Sequence, residues 1–206
     1  MIREIIYDFD GTISDTYPIF TEAFIELLRR HGVEDTYENV YKHLKVSVGH
    51  AISQYSCFPE RPNPEFHEIH NVMALERQKP LEGALDILKY ACENGGRNYI
   101  YTHSSKNIVY PLLEKWGMLP YITDMIDGTY VIPRKPAPDG VNILVEKNAI
   151  DRREAIIVGD RDIDVLSGRN GGIFGCLIDP EHYYDSFKDY DYRIDRLEEL
   201  KNIICK

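Results

Sequence analysis

Ala155-Ile156-Ile157-Val158-Gly159 is apolar at every position and is flanked by charged loops. A short strand without polar alternation must be covered on both faces, which is the situation of a parallel sheet sandwiched between helices. Ile2-Arg3-Glu4-Ile5-Ile6-Tyr7-Asp8-Phe9, Asn98-Tyr99-Ile100-Tyr101-Thr102 and Ile173-Phe174-Gly175-Cys176-Leu177-Ile178 read as further strands. Helical patterns alternate with them over Gly83 to Asn94, about Ser105 to Trp116, and Ile163 to Asn170. In the first of these, Ala84, Leu85, Leu88 and Ala91 lie on one side, and Gly95-Gly96 ends the helix. Such alternation predicts an α/β fold with a doubly wound parallel sheet and right-handed crossovers.

One stretch breaks the alternation. From Pro18 to about His31, the residues Ile19, Phe20, Ala23, Phe24, Leu27 and Leu28 recur at helical spacing. Pro18 suits the first turn and Gly32 the stop. Helical patterns continue to about Arg77, with breaks expected at Gly49 and in the loop Phe58 to Pro64. The expected organisation is an α/β core formed by residues 1–16 and 81–206, with residues 17–80 as a small α-helical cap over the carboxyl end of the first strand.

The chain has 206 residues, 24 Lys and Arg against 34 Asp and Glu, and a formal net charge of −10. Such a surface argues against nucleic acid or anionic membranes as partners. No apolar run has the roughly 18–20 residues of a transmembrane helix, and the start lacks the apolar core of a signal peptide, so a cytoplasmic location is expected. Cys57, Cys92, Cys176 and Cys205 form no CxxC pair and are expected to be buried free thiols.

The chemistry concentrates in Asp8-Phe9-Asp10-Gly11-Thr12-Ile13-Ser14-Asp15-Thr16. Side chains alternate along a strand, so Asp8 and Asp10 share a face while the chain stays extended, and Gly11 permits a sharp turn. Two like charges this close raise one pKa unless a cation offsets them. Mg²⁺ suits few carboxylates plus water and phosphate oxygens. Thr102, Lys135, Asp160 and Asp164 each have an ordinary reading as capping or solvated residues when taken singly. Their placement is more telling. Asp8, Thr102 and Asp160 all fall at carboxyl ends of predicted parallel strands, the edge where open α/β sheets bind ligands.

This set resembles the haloacid dehalogenase-like hydrolases in their phosphatase form. Asp8-Phe9-Asp10-Gly11-Thr12 is similar to the family's Asp-x-Asp-x-Thr motif. Thr102 resembles its phosphate-binding Ser/Thr, Lys135 its phosphate-binding lysine, and Gly159-Asp160-Arg161-Asp162-Ile163-Asp164 its Gly-Asp-x-x-x-Asp acidic motif. The resemblance implies a Rossmann-like core with an inserted helical cap and Mg²⁺ as cofactor. Asp8 would be the nucleophile and a metal ligand. Asp10 would be the general acid and base, reaching the metal through its backbone carbonyl. Asp160 would be a further metal ligand, and Thr102 and Lys135 would hold the phosphoryl group. Asp164 would orient Lys135 or a metal-bound water.

The expected activity is hydrolysis of a small phosphomonoester through an aspartyl-phosphate, in the manner of the phosphoglycolate phosphatase branch. The expected partner is a small phosphorylated metabolite, and the expected state a monomer or weak homodimer. A sugar phosphomutase of the same family and a non-catalytic phosphate-binding regulatory module are the alternatives. Lys45 and His50 in the cap are candidates to reach a substrate anion, against a plain reading as solvated helix residues. His103 either contacts substrate or simply packs or caps. Asp15 and Thr16 either cap the first cap helix or contact substrate. The aromatic tail around His182, Tyr183, Tyr184 and Tyr190 is read as scattered packing.

Overall fold

The structure, a computed structural model, describes residues 1–58 and 64–206. Along the chain come β1 (Glu4–Tyr7), β2 (Ser14–Asp15), α1 (Tyr17–Arg30), α2 (Tyr37–Val46), α3 (Val48–Ser53) and α4 (Pro64–Arg77). Then follow β3 (Lys79–Pro80), α5 (Ala84–Glu93), β4 (Arg97–Tyr101), α6 (Lys106–Lys115), β5 (Ile122–Ile126) and α7 (Asp139–Lys147). The chain finishes with β6 (Ala155–Gly159), α8 (Asp162–Asn170), β7 (Phe174–Ile178) and β8 (Tyr192–Ile194). It divides into two compact units, residues 1–14 with 80–206, and residues 15–79. The paired two-residue strands β2 and β3 mark the passage between them.

The larger unit is a six-stranded sheet in the order β5-β4-β1-β6-β7-β8, with every pair of neighbours parallel. The chain builds outward from β1 to β4 and β5, then returns to the other side for β6, β7 and β8. The reversal of strand order therefore lies at β1, and a ligand crevice is expected beyond the carboxyl ends of β1, β4 and β6. Ile5, Ile6 and Tyr7 of β1 and all five residues of β6 are buried, as their unbroken apolar character requires. One face packs Ile6, Tyr99, Tyr101 and Ile157 against Val141, Leu144 and Val145 of α7. Gly140 opens that helix against the sheet, because a Cβ there would overlap the Tyr101 ring.

β5, β8 and α7 are additions to the elements expected from the sequence. α6 begins behind the N-cap Ser105 and carries Pro111 inside it without ending there. The cysteines are free thiols, but only Cys176 is buried; Cys92 near the end of α5 is exposed, which corrects the expectation of four buried thiols.

The smaller unit is helical around its own core, in which Phe24, Leu27, Leu28, Val40, Leu44, Ile52, Phe58, Phe66 and Ile69 cluster. Gly32 takes φ +71 just after α1 and lets the chain turn back. The break between α2 and α3 falls at Ser47, not at Gly49. Ser47 is fully extended at φ −178, and its hydroxyl accepts the His50 N–H to start α3. Thr16 occupies the N-cap of α1 without side-chain capping; its hydroxyl accepts Gln78 Nε2 at 3.2 Å instead. The expected loop over Pro59 to Asn63 lies outside the described residues.

Candidate active site

β1 ends at Tyr7, and the next three residues divide their side chains as the alternation demands. Phe9 is buried and stacks on Trp116 at 6.0 Å. Asp8 on one side of it is buried, and Asp10 on the other is half-buried. The chain then folds back. The Phe9 carbonyl accepts N–H groups from Thr12, Ile13 and Ser14, and Gly11 supplies φ +77. Thr102 directly follows β4 and Asp160 directly follows β6, so both stand at the same sheet edge as Asp8.

Lys135, in the connection between β5 and α7, brings the cluster together. Its buried ammonium lies 2.7 Å from Asp8 Oδ1, 2.9 Å from Asp164 Oδ1 and 2.7 Å from the Tyr101 carbonyl oxygen. All three ammonium protons are thus donated. Burial alone would push Lys135 down, but Asp164 and Asp8 outweigh it and hold its pKa above the ordinary lysine value. Asp164 uses both oxygens, since Oδ2 accepts the Arg161 backbone N–H at 3.1 Å at the start of α8. Burial would raise its pKa, but Lys135 and Arg161 prevail and lower it.

Asp8 is less well served. Its Oδ2 is buried without a hydrogen-bond partner. Burial pushes its carboxyl up to about 8 against the pull of Lys135. Asp164 has the Arg161 guanidinium as a second cation, its Nε 3.8 Å from Oδ2, so the deficit falls on Asp8 with its orphaned oxygen. Asp8, Asp160 and Asp164 offer ligand oxygens all within 4.8 Å of one another. The residues therefore fit a divalent cation. Because both Asp164 oxygens are already hydrogen-bonded, Asp8 Oδ2 and Asp160 are the better-placed ligands. The Asp10 carboxylate is not in this cluster.

Two residues beside Thr102 matter in ways the sequence reading did not assign. Ser104 Oγ donates to Asp10 Oδ2 at 2.5 Å, and its backbone N–H donates to Thr102 Oγ1 at 3.0 Å. Thr102 Oγ1 keeps its own proton for a ligand. His103 Nε2 accepts the Lys135 backbone N–H at 3.2 Å. The signal available in the sequence was adjacency alone: all three residues follow the end of one strand.

Gly159 shows why the acidic motif begins with glycine. A Cβ there would overlap Asp164 Cβ, with its carboxyl carbon 2.7 Å away. Gly159 has no positive φ that would demand glycine, and at an unstrained site Ala would stabilise by about 0.4–1 kcal/mol. Here the overlap decides the sign. Gly159→Ala is expected to destabilise by about 1–3 kcal/mol and to lower activity by displacing Asp164 from Lys135. Thermal melts and kcat/KM check this; a stabilised, fully active variant contradicts it.

Of the remaining candidates, Lys45 is buried in the helical unit, with its ammonium 4.1 Å from the centre of the Tyr17 ring. The ring of His50 lies 5.4 Å from that of His43. Asp179 at the end of β7 accepts the N–H groups of Tyr183 and Tyr184 and pairs with Arg193 at 2.9 Å. This ties the aromatic tail to the sheet. Burial pushes the Tyr184 phenol up, and the negative charges of Asp160 and Asp162 add to the rise.

The family model for haloacid dehalogenase-like hydrolases matches residues 5–178. A phosphoglycolate phosphatase of Vibrio parahaemolyticus is 26% identical, over 99% of this chain and 96% of its own length. A pyrophosphatase of Bacillus pumilus is 25% identical over 83% of this chain and 80% of its own. The crystal structure of a hydrolase from Streptococcus pneumoniae is 30% identical with TM-score 0.65, covering 84% of this chain and 91% of that one. The chain belongs to the haloacid dehalogenase-like hydrolase family. It is an enzyme of that family's phosphatase type. No helix among the described residues is long and apolar enough to cross a membrane.

Proposed function

We propose that this protein is a Mg²⁺-dependent phosphatase that hydrolyses a small phosphomonoester, of the phosphoglycolate kind, through an aspartyl-phosphate on Asp8. The observation that carries the reading is the Asp8–Lys135–Asp164 arrangement, with Asp160 alongside and an orphaned Asp8 Oδ2. The phosphoglycolate phosphatase of Vibrio parahaemolyticus, matched along nearly its whole length, supports the substrate class.

A divalent cation held by Asp8 and Asp160 would supply the positive charge that keeps Asp8 ionised and neutralises phosphoryl oxygens. The chain's own residues do the rest. Asp8 attacks phosphorus and displaces the alcohol. Asp10, held by Ser104, protonates the leaving oxygen and later takes a proton from the water that cleaves the aspartyl-phosphate. Thr102 donates to a phosphoryl oxygen. The Lys135 ammonium follows the charge as it moves from carboxylate to phosphoryl group.

A panel of phosphorylated metabolites, assayed with Mg²⁺ and with chelator, tests the proposal. At least one small ester is expected to be hydrolysed, only with metal, and Asp10→Asn is expected to lower the rate by about 10²–10⁴-fold. Binding of inorganic phosphate without hydrolysis of any ester would replace the proposal with a phosphate-binding module.

A further inference from the structure

We propose that His103 is a positioning residue whose imidazole, through Nε2, accepts the Lys135 backbone N–H and so fixes where the Lys135 ammonium stands against Asp8. The inference rests on the phosphatase reading and adds to it a residue to which that reading gives no step.

The lysine that gathers the site comes from a connection rather than from a strand or helix. A lysine side chain is four methylenes of freely rotating chain, and loops are where position is least assured. The connection must therefore be tied down from outside. Its first residues are held by the loop after β4, since the Gly128 N–H donates to the Ser104 carbonyl oxygen at 2.9 Å. No Cβ fits at Gly128, because it would overlap the His103 carbonyl oxygen.

At the reacting end, Pro136 has no N–H to give. The Ala137 N–H turns back onto Arg134 at 3.0 Å, and the Pro136 carbonyl takes Asn170 Nδ2 at 2.9 Å. The Lys135 N–H goes to His103 Nε2. His103 thus joins the residue after Thr102 to the residue that carries the ammonium. Misplacement of the ammonium by about 1 Å can cost about 100-fold in rate.

The chemistry of the ring suits a permanent acceptor. An imidazole accepting at Nε2 carries its proton on Nδ1. Burial, then the charges of Lys135, Arg134 and Arg161, push the ring down to about 3, so Nε2 remains bare at neutral pH. The ring also meets Tyr101 edge-on at 6.3 Å, which holds its plane. An apolar side chain of similar size would keep that packing and lose the acceptor. A glutamine would keep an acceptor of comparable reach.

His103→Phe, His103→Leu and His103→Gln, assayed with the best ester from the metabolite panel, separate the roles. The expected result is a fall in kcat of about 10–100-fold for the Phe and Leu variants, with KM much less changed, and recovery of most of the rate in the Gln variant. Nitrogen-15 NMR of the wild-type protein provides a readout independent of turnover, and is expected to show His103 protonated at Nδ1 and bare at Nε2. A Phe or Leu variant as fast as wild type, a Gln variant no faster than either, or a protonated Nε2 overturns the proposal. Should the Phe and Leu variants not fold, the Gln rate and the wild-type tautomer still decide. If wild type hydrolyses no ester, the phosphatase reading falls, while the tautomer still reports on the His103–Lys135 bond.

Discussion

Asp8→Asn is expected to abolish turnover, by about 10⁴-fold or more, while leaving the metal-free protein at least as stable as wild type at neutral pH. The amide nearly preserves the shape of the carboxylate but cannot attack phosphorus. Its effect on stability follows from burial. Asp8 has its carboxyl pushed up to about 8 in the folded state, against an ordinary 3.8. Between those values the folded protein holds a proton that the unfolded chain has released. Stability is therefore fully present below about pH 4 and is lost as pH rises toward 8. The Asn variant has no such group and should lack that part of the slope. Lys135 would still be paired with Asp164, so no ammonium is stranded. Thermal melts of both proteins in chelator, from pH 4 to 8, check this. Equal slopes, or retained phosphatase activity in the variant, contradict it.

Lys135→Met is expected to cost more in stability than any other change in the site. Removing one partner of a buried ion pair typically costs about 3–5 kcal/mol. Here the ammonium is hydrogen-bonded to both buried groups, Asp8 and Asp164, and since metal-free Asp8 holds its proton at neutral pH, the charge left behind is that of Asp164. Activity should fall by about 10²–10³-fold or more, as for a lost oxyanion donor. The two losses should respond differently to Mg²⁺. The ion restores charge balance and with it part of the stability. It does not restore the donor to the phosphoryl group. Urea unfolding with and without Mg²⁺, set beside kcat, separates the two. A variant as stable as wild type in chelator would mean that Lys135 is not the cation that balances Asp164.

The central strands were legible because burial on both faces leaves no polar residue to blur them, as in β6. β5 was not, for Ile122-Thr123-Asp124-Met125-Ile126 is an edge strand in which Thr123 is exposed and Asp124, partly buried, bonds Lys147 and Asn148 at the end of α7. Half-polar edge segments resemble loops until their neighbour is known. α7 carries a good apolar stripe in Val141, Leu144 and Val145, but it follows the Pro-rich Arg134 to Pro138 segment, whose composition reads as loop. The break falls at Ser47 rather than Gly49 because a capping serine, a weaker sequence signal than a glycine, starts α3.

Within the site, the acidic and cationic residues stood out by type and by strand-end position. Their partners did not. The Tyr101 carbonyl on Lys135, Ser104 on Asp10 and His103 on the Lys135 backbone depend on how the connections close, which no local spacing encodes. The Arg161 N–H on Asp164 is the exception, since an acid in the first turn of a helix commonly accepts such a bond.

The covalent step is the centre of the account, and a labelled phosphoryl group tests it most directly. The protein is mixed with Mg²⁺ and its best ester carrying radioactive phosphorus, quenched in acid during turnover, and digested for peptide mapping. Label is expected on the peptide bearing Asp8, in an acyl linkage released by hydroxylamine, and none in Asp8→Asn. Rapid turnover with no label on the wild-type protein, or label on a peptide without Asp8, would contradict it.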